Sequence, residues 1–267
     1  MSEGVAGLSM YDWPEVQKHN DELWEMIVQS LKKRNISAPQ HLAREKDHYE
    51  IWLATDLLIG QTCGLNAIRE LQGRVEVLGA LDYGLEGCKP GQYRSVIVCR
   101  ADDKAQIVED FVNKTAAINS DDSYSGYGAL LATVNSFVEK GKFFEKTIIC
   151  GSHRQSMKAI ANKQADIAAI DEVVWNLAFD YEPEVETLRV IGKTQPMPAP
   201  PLITNWSNNS LRNVLNEALE EAVSLLDETT KSALQLYGYK LMKLDDYEPI
   251  LRQLNEINNP QTILGFN

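Results

Sequence analysis

The chain has 267 residues, of which 44% are hydrophobic and 24% charged, and its formal net charge at pH 7 is −12. This composition is that of an ordinary globular protein, long enough for one large domain or two small ones. The negative charge argues against nucleic acids and anionic membrane surfaces as partners, because phosphate binding needs clustered lysine and arginine. No run approaches the ~18 to 20 apolar residues of a membrane span.

The first hundred residues predict strands separated by helices. Residues 8–13 resemble a short strand, and Pro14 suits the first turn of a helix that apolar spacing extends over residues 15–33. Further strands are predicted at 57–60, 75–78 and 93–99, with a short helix at 65–71.

The same alternation continues in the rest of the chain. Strands are predicted at 114–118, 147–150, 167–170 and 188–191, and helices at 127–138, 172–179, 211–225, 229–236 and 247–254. The proline-dense stretch 194–201 is incompatible with a helix or a central strand, and the last residues are expected to fray. Together these elements predict an α/β fold.

The sequence predicts two places where the chain passes from one lobe to the other. At 99–103 an apolar strand gives way to charged residues, and 192–198 leads into the prolines. We therefore predict one lobe from residues 101–192 and a discontinuous lobe from 1–100 and 193–267, with hinges near 99–103 and 192–198. A ligand site in the cleft between two hinged lobes is expected.

The segment 151–171 is the most informative for function. Gly151 and Ser152 form a turn before a helix that starts with His153, and the short buried strand 167–170 ends at Asp171. The ends of strands are where open α/β sheets place ligand contacts. Each residue also has a purely structural interpretation, since a lone histidine is usually structural and Asp171 would cap the helix it opens.

The segment 119–127 (NSDDSYSGY) lies between a predicted strand and a predicted helix. Ser123, Ser125 and Gly126 at a helix start favour an anion through backbone N–H groups, hydroxyls and the helix dipole. The alternative is a plain N-cap within a polar loop, and the adjacent acids Asp121 and Asp122 weaken the anion interpretation. Weaker candidates are the polar residues at the ends of other predicted strands: Tyr11, Gln61, Tyr93 and Ser95.

The four cysteines match no zinc spacing, and neither phosphate-loop nor dinucleotide fingerprints occur, so we predict no metal and no cofactor. Cys99 and Cys150 end apolar strands and are expected to be inert buried thiols. Cys63 and Cys88 lie beside glycines, and a disulfide between them would suit an exported protein better than a reducing cytoplasm. Alternatively, Cys63 is a nucleophile with His153 as its base.

Several segments in this order resemble the phosphate/phosphonate-type solute-binding proteins of ABC importers, the PhnD-like branch of the type II periplasmic binding proteins. They are MYD at 10–12, QTCG at 61–64, GQYRS at 91–95, residues 119–127, GSH at 151–153, ADIAAID at 165–171 and TQP at 194–196. The resemblance covers about residues 8–204; beyond it the chain matches only as generic helices.

This resemblance implies a two-lobe type II fold, with a mixed sheet flanked by helices in each lobe, that closes on a small molecule. It implies that the SxSG helix start holds an anionic group, and that the Gly-Ser-His turn and the strand-end aspartate face the ligand. The ligand-binding residues predicted on this basis are Tyr11, Gln61, Tyr93, Ser95, Ser123, Tyr124, Ser125, Gly126, His153 and Asp171. The acids at 121–122 depart from the family pattern, and the Cys63 and Cys88 pair resembles paired cysteines in some relatives.

The leading hypothesis is therefore a non-enzymatic, monomeric solute-binding component of an ABC importer, with a small polar, phosphonate-like or phosphate-like ligand and an ABC permease as partner. The alternatives are an enzyme on the same fold, acting on a heterocyclic or anionic substrate, and a cytoplasmic ligand sensor. Residues 1–10 lack the pattern of a secretory signal. We accordingly expect a periplasmic or extracellular protein if a signal was trimmed, and a cytoplasmic one otherwise.

Overall fold

The computed structural model of the protein describes residues 4–138 and 141–266. The predicted lobes also included residues 1–3, 139–140 and 267, which lie outside the described residues. The chain divides into two compact units. The first comprises Met1–Gln92 and Pro198–Glu248, and the second comprises Tyr93–Met197 and Pro249–Asn267.

Within the described residues there are twelve strands and ten α-helices. The strands are β1 (Val5–Gly7), β2 (Leu57–Gln61), β3 (Val75–Asp82), β4 (Gln92–Tyr93), β5 (Ser95–Arg100), β6 (Thr115–Ile118), β7 (Lys146–Ile149), β8 (Ile167–Asp171), β9 (Leu188–Lys193), β10 (Met197–Pro198), β11 (Pro201–Asn205) and β12 (Gly238–Leu241). The helices are α1 (Gln17–Lys33), α2 (His48–Trp52), α3 (Gly64–Arg69), α4 (Ala129–Asn135), α5 (His153–Ala161), α6 (Glu172–Tyr181), α7 (Arg212–Leu225), α8 (Glu228–Leu234), α9 (Glu248–Asn255) and α10 (Pro260–Ile263).

The first unit is built on a mixed five-stranded sheet in the order β1-β2-β11-β3-β12. Strands β1 and β2 are parallel, and β11 runs antiparallel to both β2 and β3. Helix α1 contributes a buried stripe of Leu23, Trp24, Ile27 and Leu31, the spacing of an amphipathic helix, and it packs against α7. All five residues of β2, including Gln61 at its end, are buried in this unit.

The second unit is built on another mixed five-stranded sheet, in the order β7-β6-β8-β5-β9. Strands β6, β7 and β8 are parallel, and β5 runs antiparallel to β8 and β9. All five residues of β8 are buried, as expected for a strand covered on both faces. The predicted α/β class, with a mixed sheet and flanking helices in each unit, is confirmed.

Two element predictions were wrong, and one strand was not predicted. Residues 8–13 form turns, and the first strand is instead β1 (Val5–Gly7). The proline-dense stretch ends in β11, a central strand whose first residue is Pro201. Proline is tolerated at the first residue of a strand, where it lacks only an N–H donor, and the Pro201 carbonyl accepts a hydrogen bond from the Thr62 N–H (3.1 Å). The edge strand β12 was missed altogether.

The expectation that the last residues fray was also wrong. The carbonyl of Ile263 accepts hydrogen bonds from the N–H groups of Phe143 (2.9 Å) and Phe144 (3.1 Å), and Thr147 Oγ1 donates to the carbonyl of Leu264. Leu264 is fully buried. The C-terminal segment is therefore an integral part of the second unit.

The boundaries of the two units differ from the predicted lobes. Strand β5 lies inside the sheet of the second unit, so the chain enters that unit between Gln92 and Tyr93, upstream of the predicted crossing at 99–103. The charged residues that suggested a crossing there form a turn in which Arg100 pairs with Asp103 and Asp166. The second crossing, at Met197–Pro198, lies in the predicted stretch 192–198, and a third, at Glu248–Pro249, was not predicted. Hinge motion at these positions stays a prediction.

Replacing Leu264 by alanine tests the role of the C-terminal segment. Because the side chain is fully buried, we expect Leu264→Ala to lower the free energy of unfolding by about 2–5 kcal/mol in urea titrations. Leu225→Ala, at a helical site with 55% of the side chain exposed, should change it by less than about 1 kcal/mol. Equal, small effects of both variants would mean that the last residues do not pack.

Candidate ligand-binding site

The serine-rich segment of the second unit forms one turn of π-helix, Tyr124–Gly128, which leads directly into α4. It follows the carboxyl end of β6, and Ser123 caps it, since its Oγ accepts a hydrogen bond from the Gly126 N–H (3.4 Å). π-helical turns are rare and frequently occur at functional sites. The capping interpretation of Ser123 is thus correct, and its hydroxyl also lies 3.4 Å from Ser125 Oγ.

Gly126 is required by a close approach rather than by backbone conformation. A Cβ atom at this position would lie 1.9 Å from Asn119 Oδ1, well inside any real contact. Asn119 is the residue directly after β6, and its carbonyl accepts a hydrogen bond from the Gly151 N–H (2.8 Å). The glycine therefore lets the π-helical turn pack directly on the segment that precedes it.

His153 is the first residue of α5, which Ser152 caps by accepting the Gln155 N–H (3.2 Å). Its Nε2 lies 2.8 Å from Ser125 Oγ, and its Nδ1 is buried without a hydrogen-bond partner among the described residues. The side chain is only 9% exposed. Burial lowers the pKa of the imidazole to about 4, so His153 is neutral at pH 7.

Ser95 and Asp171 are directly opposite each other in the antiparallel ladder of β5 and β8. Ser95 Oγ donates to the carbonyl of Ser125 (2.8 Å), which ties the end of β5 to the π-helical turn. Asp171 Oδ1 accepts the N–H of Val173 (2.9 Å), so the predicted capping of α6 is confirmed. Contact of Asp171 with a ligand stays a prediction.

Tyr124 and Tyr93 are buried in the same unit, and contact of either residue with a ligand stays a prediction. The Tyr124 hydroxyl donates to Gln253 Oε1 (2.6 Å), which attaches the turn to α9. Tyr93 lies on β4, at the boundary of the unit, and is almost completely buried.

Tyr11 and Gln61 belong to the first unit. Gln61 Nε2 donates to the hydroxyl of Tyr83 (3.2 Å), and the rings of Tyr11 and Tyr83 meet edge to face at a centroid distance of 4.9 Å. These side chains line a small cavity within that unit, of about 10 Å³, which is roughly the space for one water molecule. Among the predicted residues, the structure thus assembles Ser95, Ser123, Ser125, Gly126, His153 and Asp171 in one unit and Tyr11 and Gln61 in the other.

Four residues with buried polar atoms were not among the predicted site residues. Ser9 Oγ, Thr62 Oγ1, Asn119 Oδ1 and Glu184 Oε2, like His153 Nδ1, have no hydrogen-bond partner among the described residues. A buried polar atom without a partner costs about 1–3 kcal/mol, which makes such atoms candidates for ligand contacts. Ser9 and Thr62 are close in sequence to Tyr11 and Gln61, and Asn119 begins the serine-rich segment, so proximity to those candidates was the available signal.

The four cysteines differ in burial. Cys63 and Cys88 are both half-buried, and a disulfide between them stays a prediction. Cys63 is at the start of α3, whereas Cys88 lies in the loop between β3 and β4. Cys99 is buried as predicted, but Cys150 is half-buried, and burial raises the pKa of both thiols, as expected for unreactive cysteines.

A metal site and a membrane-spanning helix are both absent from the part of the chain that the structure describes. No group of three or more His, Cys, Asp or Glu side chains in this part of the chain could hold a metal ion. No helix within residues 4–138 and 141–266 is long and apolar enough to cross a membrane.

A family profile described as "ABC transporter, phosphonate, periplasmic substrate-binding protein" matches residues 59–253. The chain belongs to this family. Members are periplasmic substrate-binding proteins, which bind small molecules and work with ABC permeases. The predicted family and the predicted role as the solute-binding component of an ABC importer are therefore confirmed. No curated protein sequence matches this family member significantly.

Solved structures show the same fold at low sequence identity. PhnD1 from Prochlorococcus marinus in complex with methylphosphonate has a TM-score of 0.70 and 16% identity, covering 95% of this chain and 98% of that one. A binding protein component of an ABC phosphonate transporter from Pseudomonas aeruginosa has a TM-score of 0.66 and 20% identity, covering 93% and 84%. XAC2383 from Xanthomonas citri, bound to ATP, has a TM-score of 0.68 and 14% identity, covering 95% and 98%. The predicted type II periplasmic-binding-protein fold is confirmed.

Adding a methyl group at Gly126 tests the packing of the π-helical turn. We expect Gly126→Ala to lower the free energy of unfolding by about 1–3 kcal/mol, because Asn119 must move to admit the new Cβ. Gly192→Ala, where the nearest atom to a Cβ lies 3.9 Å away, should stay within about 1 kcal/mol of the wild type in the same urea titration. Equal unfolding free energies for the two variants would contradict the contact.

The low pKa of His153 predicts a pH dependence of stability. Between pH 6.5 and 4 the unfolded chain binds a proton that the folded protein does not, so the contribution of His153 is fully present above pH 6.5 and is lost on acidification towards pH 4. The loss is of the order of 3 kcal/mol in the absence of ligand. His153→Gln should reduce the fall in unfolding free energy between pH 7 and 4.5 by about this amount. Parallel pH profiles of the two proteins would contradict a buried neutral imidazole.

Proposed function

We propose that this protein captures a small phosphonate-type or phosphate-type anion and that the second unit holds its anionic group. The group would be bound by the hydroxyls of Ser123 and Ser125 and the backbone N–H groups at the start of the π-helical turn. The observation that carries the proposal is the buried contact of 2.8 Å between Ser125 Oγ and His153 Nε2 at this turn. The methylphosphonate bound by PhnD1 and the ATP bound by XAC2383, proteins of the same fold, support an anionic ligand.

The hydrogen bonds around Ser125 favour a donor-rich site. If the proton of the neutral imidazole were on Nδ1, a buried N–H would lack an acceptor, so we assign it to Nε2, which then donates to Ser125 Oγ. The hydroxyl proton of Ser125 is then available for a ligand oxygen. Ser95 meanwhile holds the carbonyl of Ser125, which would otherwise repel an anion if it pointed to the ligand.

Asp121 and Asp122 oppose the binding of an anion less strongly than the sequence suggested. Asp121 is exposed, where water screens its charge, and Asp122 accepts a hydrogen bond from Ser120 Oγ (2.6 Å). An anion in this site would be bound by neutral dipoles rather than by a counter-charge, as at other helix starts that bind phosphate.

We further propose that the protein acts as a monomer and performs no chemistry on its ligand. Ser125 and His153 stand at the distance of a nucleophile and its base, but such a pair needs a third group to orient the base. His153 Nδ1 has no partner among the described residues, and an imidazole with a pKa of about 4 is a weak base at pH 7. The contact is therefore better suited to binding than to catalysis.

Titration calorimetry with methylphosphonate, phosphate and methanesulfonate tests the proposal. We expect methylphosphonate or phosphate to bind the wild type, and Ser125→Ala to weaken that binding by roughly 10-fold to 100-fold, since a hydrogen bond to a charged group contributes about 1.5–3 kcal/mol. Ser136→Ala, which removes an exposed hydroxyl bonded to the carbonyl of Thr133 in the same unit, should bind like the wild type. Binding of neither anion by the wild type would refute the proposal, as would equal affinities of the two serine variants.

A further inference from the structure

A buried carboxylate in the second unit contacts two chain segments, the one just before β5 and the end of β9. Each segment lies within a few residues of a place where the chain passes between the two units. Glu172 is 6% exposed and is the first residue of α6. Its Oε2 accepts from Arg94 Nε (2.5 Å), and its Oε1 accepts from Lys193 Nζ (2.6 Å). Arg94 follows β4 and Lys193 ends β9, so one carboxylate holds both segments.

Backbone contacts complete this arrangement. The Glu172 N–H donates to the carbonyl of Arg94 (2.9 Å), and the Ser95 N–H donates to Thr194 Oγ1 (2.9 Å). The Thr194 N–H in turn donates to the carbonyl of Ser95 (2.9 Å). We call these residues, Arg94, Ser95, Glu172, Lys193 and Thr194, the clasp.

The clasp is directly connected to the candidate ligand site. Ser95 belongs to both, because its backbone pairs with Thr194 while its Oγ holds the carbonyl of Ser125. Glu172 also follows Asp171, which is opposite Ser95 in the ladder. A displacement of Arg94 would therefore move Ser95 and, through it, the turn that contains Ser125.

The electrostatics make the clasp dependent on the charge of Glu172. Although burial acts to raise it, the hydrogen bonds from Arg94 and Lys193 hold the pKa of the Glu172 carboxyl below its ordinary value. The Arg94 side chain is itself only 12% exposed. Loss of the carboxylate charge would remove the ion pair between Glu172 and a largely buried guanidinium, a change that favours local rearrangement.

We propose that Glu172 is a positioning residue of the ligand site, which fixes Ser95 and thereby Ser125 by clasping the two segments that lead to the other unit. The role in ligand binding rests on the proposed function. Glu172 itself need not touch the ligand, and its carboxylate acts through Arg94 and Lys193.

Asp166 provides a matched control at the other end of the ladder between β5 and β8, far from Ser95 and Asp171. It precedes β8, and its Oδ1 pairs with Arg100 Nη2 (3.3 Å) at the end of β5, while its Oδ2 accepts the Thr115 N–H (3.0 Å). Asp166→Asn thus removes a carboxylate charge that also joins the ends of β5 and β8, but away from Ser95 and Asp171.

The test compares Glu172→Gln and Asp166→Asn by two measurements. In the ligand-free proteins, amide hydrogen exchange of Ser95 and Thr194 should become faster in Glu172→Gln and stay unchanged in Asp166→Asn. Calorimetry with methylphosphonate and phosphate should show affinity weakened roughly 10-fold or more for Glu172→Gln and less than about 2-fold for Asp166→Asn. Glu172→Asp, which keeps the charge, should recover part of both losses.

The outcomes separate this inference from the proposed function. Unchanged hydrogen exchange of the Ser95 and Thr194 amides in Glu172→Gln would show that Glu172 does not hold the clasp together. Faster exchange with unchanged ligand affinity would show that the clasp does not position the ligand site. Equal losses of affinity in Glu172→Gln and Asp166→Asn would also contradict the proposal. If the wild type binds neither anion, the proposed function fails, and the exchange rates alone decide whether Glu172 positions Ser95.

Discussion

The ladder between β5 and β8 is the constraint on which the candidate site depends. Its register sets Ser95 opposite Asp171 at one end, and these two residues lead to the serine-rich turn and to α6. Both strands are almost completely buried, and a slip of one residue would turn every side chain to the other face of the sheet. The hydrophobic core of the second unit therefore determines the positions of the polar groups at its edge.

The proposed neutral binding site would resolve an apparent conflict between the negative charge of the protein and the phosphonate-binding role of its family. A chain with a net charge of −12 repels anions at long range, yet it belongs to a family of phosphonate-binding proteins. Hydroxyls, backbone N–H groups and an imidazole kept neutral by burial can bind an anion without an opposing charge, provided that they are oriented before it arrives. The contacts of Ser95, Ser125 and His153 supply such an orientation. In the proposed arrangement, Glu172 would extend this orientation to the chain segments beside the unit boundary through its contacts with Arg94 and Lys193.

Local sequence patterns were sufficient for the parts of the site that depend on local geometry. Ser123 and Gly126 were recognisable because helix starts need capping oxygens and small residues, and His153 because it follows a Gly-Ser turn at a helix start. The Asp171 cap follows from the same rule. The capping contacts of Ser123, Ser152 and Asp171 join residues two or three positions apart, so they can be read from the sequence, whereas His153 contacts Ser125 across 28 positions.

The remaining features depend on residues distant in sequence. The pairing of Glu172 with Arg94 spans 78 positions, and the unpartnered atoms of Thr62 and Asn119 become apparent only when all neighbours are known. Strand β11 was missed because the prolines at 198, 200 and 201 argue against a strand, although Pro201 occupies the first strand position, where only its carbonyl is needed as an acceptor. The first crossing was misplaced because charged residues at a sheet edge look like a linker when the partners of Arg100 are unknown.

The most direct test of the account is the protonation state of His153, observed by ¹⁵N NMR of the imidazole at pH 7 with and without methylphosphonate. We expect a neutral ring with the proton on Nε2 in the free protein, and ¹⁵N shifts that change on binding while the ring stays neutral. An imidazolium ion, or a proton on Nδ1, would contradict the neutral donor site on which the proposed binding of an anion depends.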